Sequence, residues 1–147
     1  MKTLIVYHSE HHGNTKKLLD AIAKEGNVTL LDASSGAGMD CGEYDLIGFA
    51  SGIYYQKFHK NVVNWVERNL SPGKKVFFLY TCGVKRDSYA DDIALAVGRK
   101  GAQLVGSYVC PGYDTFGPFK LVGGIAKGRP NEEDIAGAVR FYREIER

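Results

Sequence analysis

Five apolar runs punctuate the chain, and amphipathic stretches separate them. "TLIVY" (3–7) is continuously apolar, as a strand buried on both faces would be. Leu18, Leu19, Ile22 and Ala23 then fall at helical spacing, in a stretch ending at Gly26. "VTLLDA" (28–33) reads as a second strand, followed by the small-residue loop "SSGAGMDCGE", and "DLIGFAS" (45–51) as a third. Val62, Val66 and Leu70 mark a helix stopped by Ser71-Pro72-Gly73, with Trp65 packed on it. "KVFFLYT" (75–81) is the fourth strand. Asp87 is placed to cap a helix whose inner face is Ala90, Ile93, Ala94 and Val97. "AQLVGSYV" (102–109) is the fifth strand. After a segment of no period, 110–130, Asn131 caps a last helix with the inner stripe Ile135, Ala138, Val139, Tyr142 and Ile145.

Strands alternating with helices predict an α/β, doubly wound, five-stranded parallel sheet in the order 2-1-3-4-5, with residues 1–147 as one domain. Right-handed crossovers put every strand C-terminus on one edge. Ligands bind outside that edge where the winding reverses, between the first and third strands. The loops that matter are therefore 8–15, 51–58 and 81–87.

Composition narrows the classes. At 147 residues, 44% hydrophobic and 24% charged, the chain reads as an ordinary globular protein. A net charge of +2, with scattered cations, is too mild to indicate nucleic acid. No apolar run nears the roughly 20 residues that span a bilayer, and "MKTLIVYHS" lacks a signal-peptide core, so the expectation is a cytoplasmic protein without a membrane partner. Three cysteines without CxxC or zinc spacing argue against both a disulfide framework and a zinc site. His8, His11 and His12 have no carboxylate or thiol to complete a metal set, so no metal is expected.

The first loop, "YHSEHHGNTKK" (7–17), carries the chemistry. A helix N-terminus offers unpaired N–H groups and partial positive charge to an anion. Ser9 and Thr15 add hydroxyls, Asn14 an amide, and Gly13 a close backbone approach. No lysine or arginine lies inside the turn, which suits a phosphate held by neutral donors. The side chain of Glu10 must then point away, and a charged His11 or His12 would gain from the phosphate. The loop is neither a Walker A nor a GxGxxG sequence. A receiver domain of the same topology needs paired acids after the first strand and an aspartate ending the third, where this chain has His8-Ser9 and Ala50-Ser51. On these residues alone, plain helix capping accounts for the turn equally well.

"IVYHSEHHGNTKKLLDAIA" (5–23) resembles the flavodoxin signature, in which an apolar strand, an aromatic residue and a serine precede Gly-Asn-Thr opening a helix. The resemblance continues through "DLIGFASGIYY" (45–55), "FFLYTCG" (77–83) and "GRPNEEDI" (128–135). One extra residue separates Ser9 from Gly13, so the loop is longer than the common pattern. The resemblance implies FMN, with its phosphate against Ser9, Glu10, His11, His12, Gly13, Asn14 and Thr15. It implies a flavin ring beside Ser51, Gly52, Ile53, Tyr54 and Tyr55, with Tyr54 the favoured stacking partner, and beside the backbone of Thr81, Cys82 and Gly83. Gln56 stands where relatives often have glycine, and Tyr89 is a lesser stacking candidate. The implied activity is one- or two-electron transfer to redox protein partners, with no catalytic side chain of the chain's own. The alternative is an FMN-dependent NAD(P)H:quinone-type oxidoreductase. Cys82 and Cys110 end neighbouring strands: either the two thiols meet beside the cofactor, or stagger and opposite facing separate them and leave two buried, inert thiols, the reading favoured here.

Overall fold

The structure is a computed structural model that describes residues 1–10, 13–35, 37–112 and 128–146. Its elements are β1 (Thr3–His8), α1 (Asn14–Ala23), β2 (Val28–Asp32), β3 (Leu46–Tyr54), β4 (Lys57–Phe58), α2 (Lys60–Asn69), β5 (Lys75–Cys82), α3 (Asp91–Arg99), β6 (Gln103–Pro111) and α4 (Glu132–Ile145). Five strands run parallel in the order β2-β1-β3-β5-β6, the order expected from the sequence. The two-residue β4 is an addition. It folds back antiparallel on the end of β3, pairing Ile53 with Phe58 and Tyr54 with Lys57.

The near-continuous apolar runs follow from having both faces of the sheet covered. Alternate residues leave each strand on opposite sides. Leu4, Val6, Phe49, Val76 and Phe78 meet Val62 and Val66 of α2 and Ile93 and Val97 of α3. Ile5, Ala50, Phe77 and Leu79 meet Leu18 and Ile22 of α1 and Ala138 and Tyr142 of α4. Thr3 lies within the second core, its hydroxyl 2.7 Å from the Tyr142 hydroxyl, so neither buried oxygen is stranded. Trp65 packs against Phe49, and its indole N–H donates to the Ala37 carbonyl, so it belongs to the core as expected.

Two local expectations change. β3 runs on to Tyr54, because β4 supplies hydrogen bonds to its extension. Asp87 does not cap α3. It opens a 3-10 turn, Asp87–Ala90, and Ala90 is the N-cap, without a side-chain bond. The tighter turn shifts the helical phase, so Ile93, Ala96 and Val97 are buried while Ala90 and Ala94 sit at the rim. The open question of the cysteines is resolved as well. Cys110 stands beside Thr81, and Cys82 beside Pro111. That offset of one residue sends the two thiols to opposite faces, Cys82 to the α2/α3 core and Cys110 to the α1/α4 core. None of the three cysteines is in a disulfide, all are buried, and burial pushes the Cys110 thiol up to about 12.

Asn131 does cap α4. Its side chain accepts from the Asp134 N–H, while the Asp134 carboxylate accepts from the Asn131 N–H, completing a capping box. Arg129 grips the same carboxylate at 2.5 and 2.6 Å and holds its pKa below the usual carboxylate value.

Candidate functional site

Every helix of this fold starts at the C-terminal edge of the sheet, so the site is built from helix N-termini and the loops that enter them. At α1 the N-cap is Gly13, in the left-handed region at φ 69°. Among the described residues no side chain caps it, no acid lies in the first turn, and a Cβ placed on Gly13 would meet nothing within 4 Å. Ser9 compensates from outside the helix, its hydroxyl accepting from the Lys16 N–H at 3.2 Å. The Thr15 hydroxyl lies 3.0 Å from that of Thr81, which ties the start of α1 to the end of β5. Asn14 is 4% exposed, and Gly112 presses on it so closely that a Cβ there would fall 2.6 Å from the Asn14 amide nitrogen. Neutral donors, an open left-handed glycine and an acid-free helix start are what a phosphate group requires. Glu10 turns its carboxylate to solvent and towards His8, as the sequence required. His11 and His12 lie outside the described residues, as do residues 113–127 of the long segment.

The second loop is the hairpin of β3 and β4. Tyr55 and Gln56 form its two-residue turn, both at positive φ (50° and 66°), as a primed hairpin turn demands. Neither is glycine, so the turn is held against its intrinsic preference. It buries one tyrosine of the pair and exposes the other. Tyr54 is 8% exposed, and its hydroxyl accepts from the Glu10 N–H at 3.1 Å, linking the hairpin to the first loop. Tyr55 is 80% exposed at the edge and is the accessible aromatic face. Tyr89 is buried too, its hydroxyl donating to the Val84 carbonyl. A Cβ on Gly52 would make only ordinary contact with Tyr54, at 3.5 Å. Ile53 is half-buried, and Ser51 is fully buried, donating to the Gly52 carbonyl and accepting from the His59 N–H. Thr81 and Cys82 end β5 as buried residues, followed by the bend at Gly83.

Between the two loops sits a pair that sequence reading did not assemble. The rings of His8 and His59 stack at 3.6 Å with planes 5° apart, and Tyr54 meets both edge-on. His59 is the N-cap of α2, its Nδ1 accepting from the Asn61 N–H at 3.1 Å, which requires that nitrogen to carry no proton. Burial, the neighbouring His8 and Lys60 lower its pKa, against the opposing pull of Glu10. His8 is 6% exposed, and its buried Nε2 makes no hydrogen bond among the described residues, although a Glu10 oxygen lies 3.3 Å away. An orphaned donor or acceptor at this position marks the switch point as a place built for more than packing. The only sequence signal for His8 was a histidine ending an apolar strand. Nothing in the sequence joined it to His59, 51 positions on. Gly112 and Asn61 escaped likewise: the Gly112 N–H donates to the Cys82 carbonyl, and the Asn61 amide nitrogen lies 3.5 Å from His8 Nδ1.

Residues 4–107 match the family model described as Flavodoxin domain. An uncharacterised protein of Methanocaldococcus jannaschii is 37% identical over 147 residues, covering 99% of this chain and 98% of its own length. The crystal structure of oxidised flavodoxin 1 from Bacillus cereus superposes with a TM-score of 0.73 at 16% identity, over 99% of this chain and 97% of that one. A flavoprotein from Lactobacillus acidophilus, solved in complex with FMN, gives a TM-score of 0.56 at 17% identity, over 74% of this chain and 92% of that one. Those two structures speak for the fold. With the family match across most of the sheet and the loops of its binding edge, they place the chain in the flavodoxin family.

Proposed function

We propose that the chain, as one domain spanning 1–147, binds one FMN at the C-terminal edge of its sheet and carries electrons between redox protein partners in the cytoplasm. The observation that carries this reading is the start of α1, where an acid-free helix N-terminus, an open left-handed Gly13 and the Ser9, Thr15 and Thr81 hydroxyls converge. In this reading Ser9, Gly13, Asn14 and Thr15, with His11 and His12, hold the phosphate. Tyr55 rather than Tyr54 stacks on the flavin ring, because its face is the exposed one. Ser51, Gly52 and Ile53 line one side of the ring, and the backbone of Thr81, Cys82 and Gly83 the other. Bound FMN supplies the redox chemistry, taking up and passing on one or two electrons. The protein's part is to bind and orient the flavin, and Tyr54, through its bond to the Glu10 N–H, keeps the two loops in register.

The alternative, an FMN-dependent NAD(P)H:quinone-type oxidoreductase, draws its support from a cavity of about 570 Å³ beside the hairpin, room enough for a small molecule. Steady-state assays on FMN-loaded protein separate the two. The carrier reading predicts no turnover of NADH or NADPH with a soluble quinone, and rapid electron delivery from the reduced protein to ferricytochrome c. Sustained quinone turnover would replace it with the enzyme reading.

A further inference from the structure

The stacked histidines have no part in holding the phosphate or lining the ring, yet they join the strands and loops that do. His8 ends β1 beside Ser51, and His59 caps α2. Two imidazoles face to face at 3.6 Å repel strongly if both are charged, so near neutral pH the pair holds at most one proton. The surroundings decide which ring takes it. A second proton on His59 must go to Nδ1, and the bond from the Asn61 N–H that caps α2 is then lost. Lys60 in the next position and the positive end of α2 also oppose a charge there. His8 has the opposite surroundings. A Glu10 carboxylate oxygen lies 3.3 Å from its buried Nε2, which has no hydrogen bond among the described residues. Its Nδ1 lies 3.5 Å from the Asn61 side-chain amide, which by turning over presents an oxygen instead of a nitrogen. Tyr54 meets both rings edge-on, its hydroxyl accepting the Glu10 N–H. Lys57 and Asp92, beside the same hairpin, lie 3.5 Å apart and offset each other. Glu10 is also the acid of the first loop, next to Ser9 and close to Gly13. A phosphate held at the start of α1 therefore arrives near a carboxylate, and that costs affinity unless a proton offsets it.

We propose that His8 is the proton-holding residue of the FMN site: binding of the phosphate draws one proton from solvent onto His8, and the charged ring offsets Glu10. The proposal rests on the FMN reading above. The added proton leaves an N–H on both ring nitrogens, Nε2 donating to Glu10 and Nδ1 to the Asn61 amide oxygen. His59 stays neutral and keeps its cap. The bound form then holds more protons than the free one, so FMN affinity falls as pH rises past neutrality. The phosphate's own titration has a different signature. Its second ionisation lies at about 6, so above pH 7 it is already a dianion and takes up no proton on binding.

The test titrates FMN and riboflavin into the flavin-free whole protein by calorimetry at pH 7.5, in two buffers of different ionisation enthalpy. The difference in heat counts the protons exchanged. Expected are about half a proton taken up with FMN, none with riboflavin, and FMN affinity about fivefold lower at pH 8.5 than at pH 7.0. NMR of the imidazole nitrogens should find both His8 nitrogens protonated in a larger fraction of the FMN complex than of the flavin-free protein. His8→Phe keeps a flat ring in the stack and abolishes the uptake. Glu10→Gln changes an exposed side chain, so folding is not at risk, and flattens the fall of affinity with pH. No uptake, equal uptake with riboflavin, or a pH profile unchanged in Glu10→Gln would each overturn the proposal. Uptake surviving in His8→Phe would overturn it too, by moving the proton to another residue such as His11 or His12. Failure to bind FMN at all defeats the FMN reading itself and shows in the same titration as an absence of saturable heat, before any proton is counted.

Discussion

Four helices begin at the same edge of the sheet, and their first turns fall into two kinds. α3 opens with Asp91 and Asp92, and α4 with Glu132, Glu133 and Asp134 behind a complete capping box. These acids complement the helix dipole, so each of these ends is satisfied by its own side chains. α1 and α2 have no acid in the first turn. α1 starts on a glycine without a side-chain cap, and α2 on a histidine followed by a lysine. The two acid-free helices are the ones that follow β1 and β3, the strands between which the winding reverses. Among the described residues, first-turn acids are thus missing only from the helices beside the switch point, where a doubly wound sheet binds its ligand. One pair of helix starts serves stability and the other serves binding, and each can be converted towards the other by substitution.

The largest effect should come from giving α1 the acid that α4 has. Asn14→Asp is isosteric and puts a charge at a buried position facing the proposed phosphate. Repulsion of about 4 kcal/mol between like charges some 4 Å apart near a protein surface predicts an FMN affinity lower by on the order of 100-fold or more. Riboflavin, which lacks the phosphate, should lose far less, and an equal loss would mean that the loop had collapsed. Thr15→Ala is the milder version. Losing a hydrogen bond to a charged group should cost about 1.5–3 kcal/mol of FMN affinity by calorimetry. Its bond to Thr81 means that a purely structural role would instead weaken riboflavin binding equally and lower the denaturation midpoint.

On the other side of the comparison, Asn131→Ala removes the α4 cap and should cost about 1 kcal/mol of stability in a urea melt. FMN affinity should stay within about twofold, as expected for an independent site. A change in flavin binding there would show that the two kinds of helix start are coupled.

The smallest effect is electrostatic. His59 has a lowered pKa in the fold because burial, His8 and Lys60 favour its neutral form, which caps α2. Its stabilising contribution is therefore present above the ordinary value of 6.5 and is lost as pH falls through the lowered one. Asp134 acts in the same direction at lower pH. Its bond to Arg129 holds its pKa below 3.8, so its contribution persists above that value and disappears as acid protonates it. His59→Asn supplies a cap that does not titrate. It should flatten the stability profile below pH 6.5 and leave the acid limb due to Asp134 in place. An unchanged profile would mean that the His59 cap contributes nothing.

Much of this architecture was legible because periodicity and punctuation are local. The apolar runs placed five strands in the right order, and Asn131 with the following acids announced the α4 cap. What escaped depends on register or on turns that break local rules. Tyr55 and Gln56 carry no turn signature, so the hairpin that exposes Tyr55 and buries Tyr54 was invisible. The His8–His59 stack joins two elements through the pairing of β1 with β3, where His8 stands beside Ser51, the residue whose hydroxyl holds the His59 N–H. Cys82 and Cys110 are kept apart by a single residue of stagger, which no pattern of apolar positions encodes, and are the buried, separated thiols that the sequence reading favoured.

The central claim is that the uncompensated edge holds a phosphate-bearing flavin. Titrating flavin-free protein with FMN, and in parallel with riboflavin, tests it most directly. The account predicts one FMN per chain, bound markedly tighter than riboflavin, with the difference lost in Asn14→Asp. No FMN binding, or FMN and riboflavin binding alike, would contradict it.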